Sequence, residues 1–217
     1  MFKNLKIKNF RGINDLEING FNKINLLLGK NNSGKTSILE AIFLTIGASN
    51  PSLNVIVNNF RGLTHTEVDD FRFIFKDLDY HFPIKLEAID IHKALRELEI
   101  KPIYSQPANG INIENPNKLL TSDSIISLQE VTGLELNLSI NKKKYVSKVE
   151  VNYPKSMNNL INYIFTTPQK YKEEYQGNYL TPSSNDIGLA QKIEKLIVDK
   201  SLKPIITSLK KIDNNIL

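Results

Sequence analysis

Residues 26–42 read LLLGKNNSGKTSILEAI: an apolar run, eight polar and small residues, then apolar positions at helical spacing. Leu26-Leu27-Leu28 closes a stretch from Lys23 to Leu28 that reads as a strand buried on both faces. Beyond the polar segment, Ile38, Leu39, Ile42, Phe43 and Ile46 recur with the helical period, and Gly47 supplies a stop. The segment between, Gly29-Lys30-Asn31-Asn32-Ser33-Gly34-Lys35-Thr36, matches G-x-x-x-x-G-K-[ST]. Average residue usage produces that pattern by chance in about one chain of this size in a hundred. Its place between a strand and an amphipathic helix is what makes it a phosphate-binding loop.

The residue types follow from what a triphosphate needs. Many donors must crowd its oxygens, and backbone N–H groups can be packed that densely. Gly29 and Gly34 lack a Cβ, so the loop can take positive φ and wrap the β-phosphate. A helix opening near Thr36 aims its unpaired N–H groups and positive dipole end at the same anion. Lys35 then reaches the β- and γ-phosphates, the Thr36 hydroxyl is placed to ligate Mg²⁺, and Ser37 adds a donor toward the α-phosphate. A glycine turn followed by an ordinary helix leaves the Lys-Thr pair unexplained.

The rest of the composition narrows the class. A chain of 217 residues holds one large domain or two small ones. It has no cysteine, so disulfides and thiolate metal sites are excluded. No apolar stretch approaches the length of a membrane span, and Met1 to Phe10 alternates lysines with apolar residues, so a cytoplasmic protein is the expectation. The net charge of +5, from 28 basic and 23 acidic residues, is carried almost wholly by lysine. That balance permits nucleic-acid contact but reads first as a solvated surface.

Along the chain, Leu5 and Ile7 alternate with lysines in a half-buried strand that Arg11-Gly12 breaks. Asp15 to Ile18 is a second strand, Asn19-Gly20 a turn, and Lys23 to Leu28 a third strand. Residues 48–70 read as loop, Phe71 to Asp90 as strand-like, Ile91 to Glu99 as a short helix, and 105–118 as a surface loop. Leu134 to Tyr153 is a hairpin with a lysine-rich tip at Asn141 to Lys144. From Ile187 the pattern is helical, with Pro204 between two helices, and it is still running at Leu217, as in a truncated domain.

Two P-loop classes fit poorly. GTPases read the base with N-K-x-D, and neither Asn22-Lys23 nor Asn141-Lys142 has Asp at the required place. Small-molecule kinases usually begin at the loop strand and carry an arginine-rich lid; here about 25 residues of strand and turn come first, and arginines are few.

That prelude, LKIKNFRGINDLEI followed by INLLLGKNNSGKTSILEAI, resembles the opening of ABC-type ATPases of the SMC/Rad50/RecF kind, and most of all their bacterial OLD-like and AAA15-type relatives. The N-F-R-G turn at Asn9 to Gly12 and the G-x-N-x-S-G-K-T loop with Leu39, Glu40, Ala41 and Ile42 carry the resemblance, which is specific over residues 1–47. It implies an α/β P-loop NTPase fold, with a mixed sheet, N-terminal antiparallel strands and a C-terminal helical segment. Residues 1–47 would form the nucleotide-binding core, 48–180 a strand-rich lobe and 181–217 a helical segment, all the N-terminal part of one ATPase domain.

The resemblance also implies a binding set of Gly29, Lys30, Asn31, Asn32, Ser33, Gly34, Lys35, Thr36 and Ser37, with ATP and Mg²⁺ as cofactors and Thr36 as metal ligand. It makes Arg11 a candidate nucleotide contact, with a solvated turn residue as the competing role. Family members complete the site with a Q-loop glutamine, a signature motif, a Walker B acidic pair and a switch histidine. Gln176 and Gln191 fall where a Q-loop can lie, and Leu196-Ile197-Val198-Asp199 resembles Walker B except that Lys200 replaces the glutamate. His65, His81 and His92 show no metal spacing, and Lys142 to Lys144 read as a solvated tip before a DNA contact.

Two functions stand open. One is the Walker A half of an ATPase head that dimerises around two nucleotides, with a nuclease partner or fused nuclease domain, DNA processing and antiphage defence as associated expectations. The alternative is a nucleotide-gated interaction module that binds ATP without appreciable turnover.

Overall fold

The computed structural model describes residues 1–63, 68–105, 130–152 and 162–180, together with the helical residues Glu194, Val198, Ile206 and Thr207. The chain divides into two units, Met1–Asn178 and Tyr179–Leu217. The second is represented by Tyr179, Leu180 and those four helical residues, which fall where the sequence predicts helix.

In the first unit, seven strands form one sheet: β1 (Phe2–Phe10), β2 (Ile13–Asn19), β3 (Ile84–Asp90), β4 (Leu95–Tyr104), β5 (Val131–Ile140), β6 (Lys143–Asn152) and β7 (Asn162–Thr166), in the order β2-β1-β3-β4-β5-β6-β7. All its pairings are antiparallel. The parallel component expected of a mixed sheet is not among the described strands. Alternation sorts each strand into two faces. Leu86, Leu98 and Leu138 stand in register on the inner face, as do Ile100 and Leu136. The outer face carries ion pairs, Lys85–Glu99 at 3.6 Å, Lys101–Glu99 at 3.0 Å and Lys148–Glu135 at 3.4 Å. The β5–β6 hairpin turns at Asn141 and Lys142, both at positive φ, where the sequence places its lysine-rich tip.

The inner face is covered by α1 (Lys35–Ile46), α2 (Leu53–Asn59) and two 3₁₀ turns, Val68–Ile74 and Lys76–Leu78. Ala41, Leu44, Val57, Phe71, Ile74 and Phe75 meet Leu5, Ile7, Phe10, Ile84 and Leu86 in one core. Removing this much apolar surface from water is what holds helices and sheet together.

Three expectations change. Residues 48–70 include α2 in addition to loop. Phe71 to Asp90 begins with 3₁₀ turns and becomes strand only at Ile84. Ile91 to Glu99 is no helix: residues 91–94 are turn and loop, and β4 starts at Leu95. The helical spacing of Leu95 and Leu98 is accidental, because Arg96, Leu98 and Ile100 are the inward residues and a buried arginine hides the two-residue period.

The largest departure concerns residues 23–28. This stretch is not in a strand, and Ile24, Leu26 and Leu28 are 79–89% exposed. The backbone leaves β2 where the N–H groups of Gly20 and Phe21 donate to the Lys3 carbonyl, then runs without a strand partner among the described residues. Leu27 points the other way, into an apolar cleft of about 480 Å³ lined also by Phe21, Leu39, Ile42, Ile46 and Tyr175. The apolar stripe of α1 thus faces the cleft, while its sheet-facing side contains Ser37, Glu40, Ala41, Leu44 and Thr45.

Candidate functional site

The phosphate loop enters α1 through Gly34, which takes φ 83° and ψ 3° at the N-cap. That left-handed conformation suits a residue without Cβ. Asn32 is also left-handed, at φ 62°, a conformation asparagine tolerates better than most. The first intrahelical bond runs from the Ile38 N–H to the Gly34 carbonyl at 3.0 Å. The N–H groups of Lys35, Thr36 and Ser37 therefore precede the helical ladder. No side chain caps them and no acidic residue lies in the first turn. Positive potential is left uncancelled at the loop.

Residues 31–37 and Arg61 line a cleft of about 340 Å³ beside this helix end. Gly29 and Lys30 form the preceding limb of the loop. The Lys35 ammonium lies inside it, donating to the carbonyls of Gly29 at 2.7 Å and Lys30 at 2.6 Å and to Ser33 Oγ at 3.3 Å. Thr36 is exposed in the cleft, its hydroxyl available as an oxygen ligand; Ser37 is 6% exposed and accepts a bond from Arg61 Nη2 at 3.0 Å. All the residues of the predicted loop are thus gathered at one place.

Arg11 is placed elsewhere. It is 7% exposed, on the sheet side of α1, and outside the lining of the cleft. Its guanidinium donates to the carbonyls of Phe73 and Val57, both at 3.0 Å, and to Asn58 Oδ1 at 3.1 Å. Its Nε stands 2.6 Å from Glu40 Oε2. Neither the direct nucleotide contact nor the solvated turn residue describes this geometry. The turn itself is tight, with Asn9 and Arg11 at positive φ and the Arg11 N–H bonded to the Ile74 carbonyl.

Glu40 and Arg61 are what sequence reasoning missed. Glu40 is fully buried and holds two arginines at once, Arg11 as above and Arg61 through Nε at 2.7 Å and Nη2 at 2.9 Å. A buried carboxylate needs such partners, and the twofold arrangement leaves a net positive charge. Arg61, a third exposed, carries that charge to the cleft. The acid at the fourth helical position after Thr36 was visible in the sequence; nothing in residues 60–63 marked Arg61, because α2 brings it back to the loop.

The donor set fits a bound phosphate: free first-turn N–H groups, Lys35 and Arg61 around a cleft. A divalent cation would take the exposed Thr36 hydroxyl as a protein ligand there, with phosphate and water as further ligands. Glu40 is occupied by its arginines, and the described residues contain no cluster of three histidines or carboxylates suited to a metal. Gln176 lines the apolar cleft with Ile46, at the opposite end of α1 from the loop. His81 is paired with Asp79 at the surface, and His92 lies in the turn before β4. Gln191, Asp199 and His65 lie outside the described residues.

Comparison with known proteins agrees with this geometry. The family model described as an AAA domain matches residues 4–216. The chain belongs to the AAA-domain family of P-loop ATPases, in its SMC/RecF-like branch. An ATP/GTP phosphatase of Helicobacter pylori is 30% identical over 147 residues, 66% of this chain and 37% of that protein. An uncharacterized protein of Methanocaldococcus jannaschii is 48% identical over 48 residues, 22% of each. The DNA replication and repair protein RecF of Francisella tularensis subsp. mediasiatica is 48% identical over 59 residues, 26% of this chain and 17% of that one. The matches thus span 17–37% of the length of these relatives. No helix among the described residues is long and apolar enough to cross a membrane.

Proposed function

We propose that this chain is the Walker A part of an SMC/RecF-like ATPase head, binding ATP·Mg²⁺ through residues 29–37. The observation that carries the reading is the cleft at the start of α1. Unpaired N–H groups, the Lys35 ammonium and Arg61 converge there with no carboxylate in its lining. Lys35 is drawn from the Gly29 and Lys30 carbonyls toward the phosphates, Thr36 supplies the Mg²⁺ ligand, and the helix end neutralises the remaining charge.

In this proposal residues 1–217 are the N-terminal part of one larger ATPase domain. Its support is the stretch 23–28, which has no strand partner among the described residues and carries three exposed apolar side chains, beside the apolar stripe of α1 that faces the cleft. An added strand there would complete the mixed sheet. Two such heads would close on two nucleotides in the cytoplasm. A nuclease partner or fused nuclease, DNA processing and antiphage defence are extensions of the proposal suggested by family resemblance.

The second reading, ATP binding without appreciable turnover, is favoured for residues 1–217 by one observation. Hydrolysis needs a carboxylate to position water, and the acid closest along the helix, Glu40, is buried between arginines. A phosphate-release assay separates the two. The expected result is tight ATP binding with turnover far below the enzyme norm of about 10 s⁻¹. Turnover near that norm, abolished by Lys35→Ala, would show that the chain holds a complete hydrolytic site.

A further inference from the structure

At the far end of α1, β4 contributes Arg96, 4% exposed. Its Nε donates to the Thr45 carbonyl at 2.8 Å and Nη2 to the Ile46 carbonyl at 3.3 Å, two acceptors that the end of the helix leaves over. The same guanidinium donates to Tyr171 Oη at 3.0 Å and to Glu173 Oε2 at 2.5 Å. It also lies 5.6 Å from the centre of the Tyr175 ring. Residues 167–178 form a strap without helix or strand, and these three side chains fasten it.

Further contacts close the fit. Tyr171 Oη donates to Glu173 Oε1 at 3.0 Å, and Ser49 Oγ to Glu173 Oε2 at 3.3 Å. Tyr175 Oη donates to Asp90 Oδ2 at 2.8 Å; burial, then this bond to Asp90, pushes its pKa up to about 12, so it remains a donor. Gly177 lies so close to Ile46 that a Cβ would stand 3.1 Å from Cγ2.

We infer that the strap is a positioning device for the phosphate loop, coupled to it through α1 and Arg96. The inference rests on the phosphate-site reading above. Among the described residues, Glu173 is the only carboxylate paired with Arg96. Lifting the strap leaves a buried guanidinium uncompensated, held only by the carbonyls of the helix end. Arg96 therefore has one arrangement that satisfies both the strap and α1. The helix is 12 residues, a rod of about 18 Å, whose other end presents its N–H groups to the phosphates. A ligand that favours one orientation of the rod favours the docked strap, and by linkage the docked strap favours the ligand. The strap closes the first unit of the chain, so occupancy of the loop is felt where the chain leaves that unit.

Hydrogen exchange of the 217-residue chain with and without Mg²⁺–ATP tests this, together with calorimetric affinity for Glu173→Gln. ATP should slow exchange at residues 31–37 and, about fivefold or more, at residues 169–178. Glu173→Gln should weaken ATP binding by about the same factor, since coupling is reciprocal. Arg96→Lys, which keeps the charge but not the fork, should lose the strap protection while the loop is still protected. Protection of the loop with unchanged strap exchange and unchanged Glu173→Gln affinity would overturn the coupling. Absence of protection at both places would overturn the phosphate-site reading and the coupling with it.

Discussion

The two ends of α1 are built on opposite principles. At the loop end, the first-turn N–H groups have no side-chain cap, Lys35 bonds among the described residues to loop atoms, and the cleft is open. At the other end, Arg96 takes up the last carbonyls, and Glu173, Tyr171 and Tyr175 close over it. One end is left with affinity to spend on a ligand; the other is already satisfied by the protein. Substitutions near the loop should therefore act directly on binding and those behind it on stability, with Glu173 reaching binding only through the coupling inferred above. Arg11 tests the boundary, because family resemblance puts it in the first group and its burial in the second.

Arg11→Met should give the largest effect. Glu40 would keep Arg61 but lose its buried partner, and breaking such a pair costs about 3 kcal/mol or more. Urea denaturation of the nucleotide-free protein measures it. An unchanged midpoint accompanied by weaker ATP binding would return Arg11 to the nucleotide and erase the contrast.

Lys35→Ala comes next and should act on binding alone. One charge-assisted contact is worth about 1.5–3 kcal/mol, so ATP affinity should fall roughly ten- to hundredfold. The melting temperature without nucleotide should stay put, since the ammonium serves only the loop. Titration calorimetry and a thermal melt on the same preparation check both halves.

Gly34→Ala sits between the two classes. A Cβ at φ 83° costs about 1–2 kcal/mol, although the space around it is open. The strain should appear as a lower melting temperature and, because it distorts the N–H groups, as weaker ATP binding. A protein changed in only one of these would show that the loop and the start of the helix are independent.

Leu26→Lys should have the smallest effect, within about 0.5 kcal/mol in the 217-residue chain, because the side chain is 79% exposed. Leu5→Ala, in a strand paired on both sides, should cost about 2–5 kcal/mol by the same measurement. A large loss from Leu26→Lys would mean that residues 23–28 are already covered.

That last pair shows where sequence and structure part company. Leu5 and Ile7 are as apolar as Leu26 and Leu28, and both stretches carry a strand signal. The first is buried because β2 and β3 flank it; the second finds no strand partner among the described residues. Strand pattern reports what a segment can bury, and burial requires a partner that the segment does not contain. The β4 misreading has the same root. Arg96 looks like a surface charge until Thr45, Ile46 and Glu173 are brought to it from 51, 50 and 77 residues away.

The sequence by itself determined the phosphate loop, since its chemistry is local: two glycines, a lysine and a hydroxyl within eight residues, followed by a helix. It determined the hairpins around Arg11-Gly12 and Asn141-Lys142 for the same reason, because turn geometry depends on adjacent residues. Only the tertiary structure decided the arginines. Arg11 went into the core beside Glu40, Arg61 came to the cleft, and Arg96 capped the far end of α1. A guanidinium can serve an ion pair, a phosphate or a helix end equally well. Which one it meets is set by packing between segments distant in the chain.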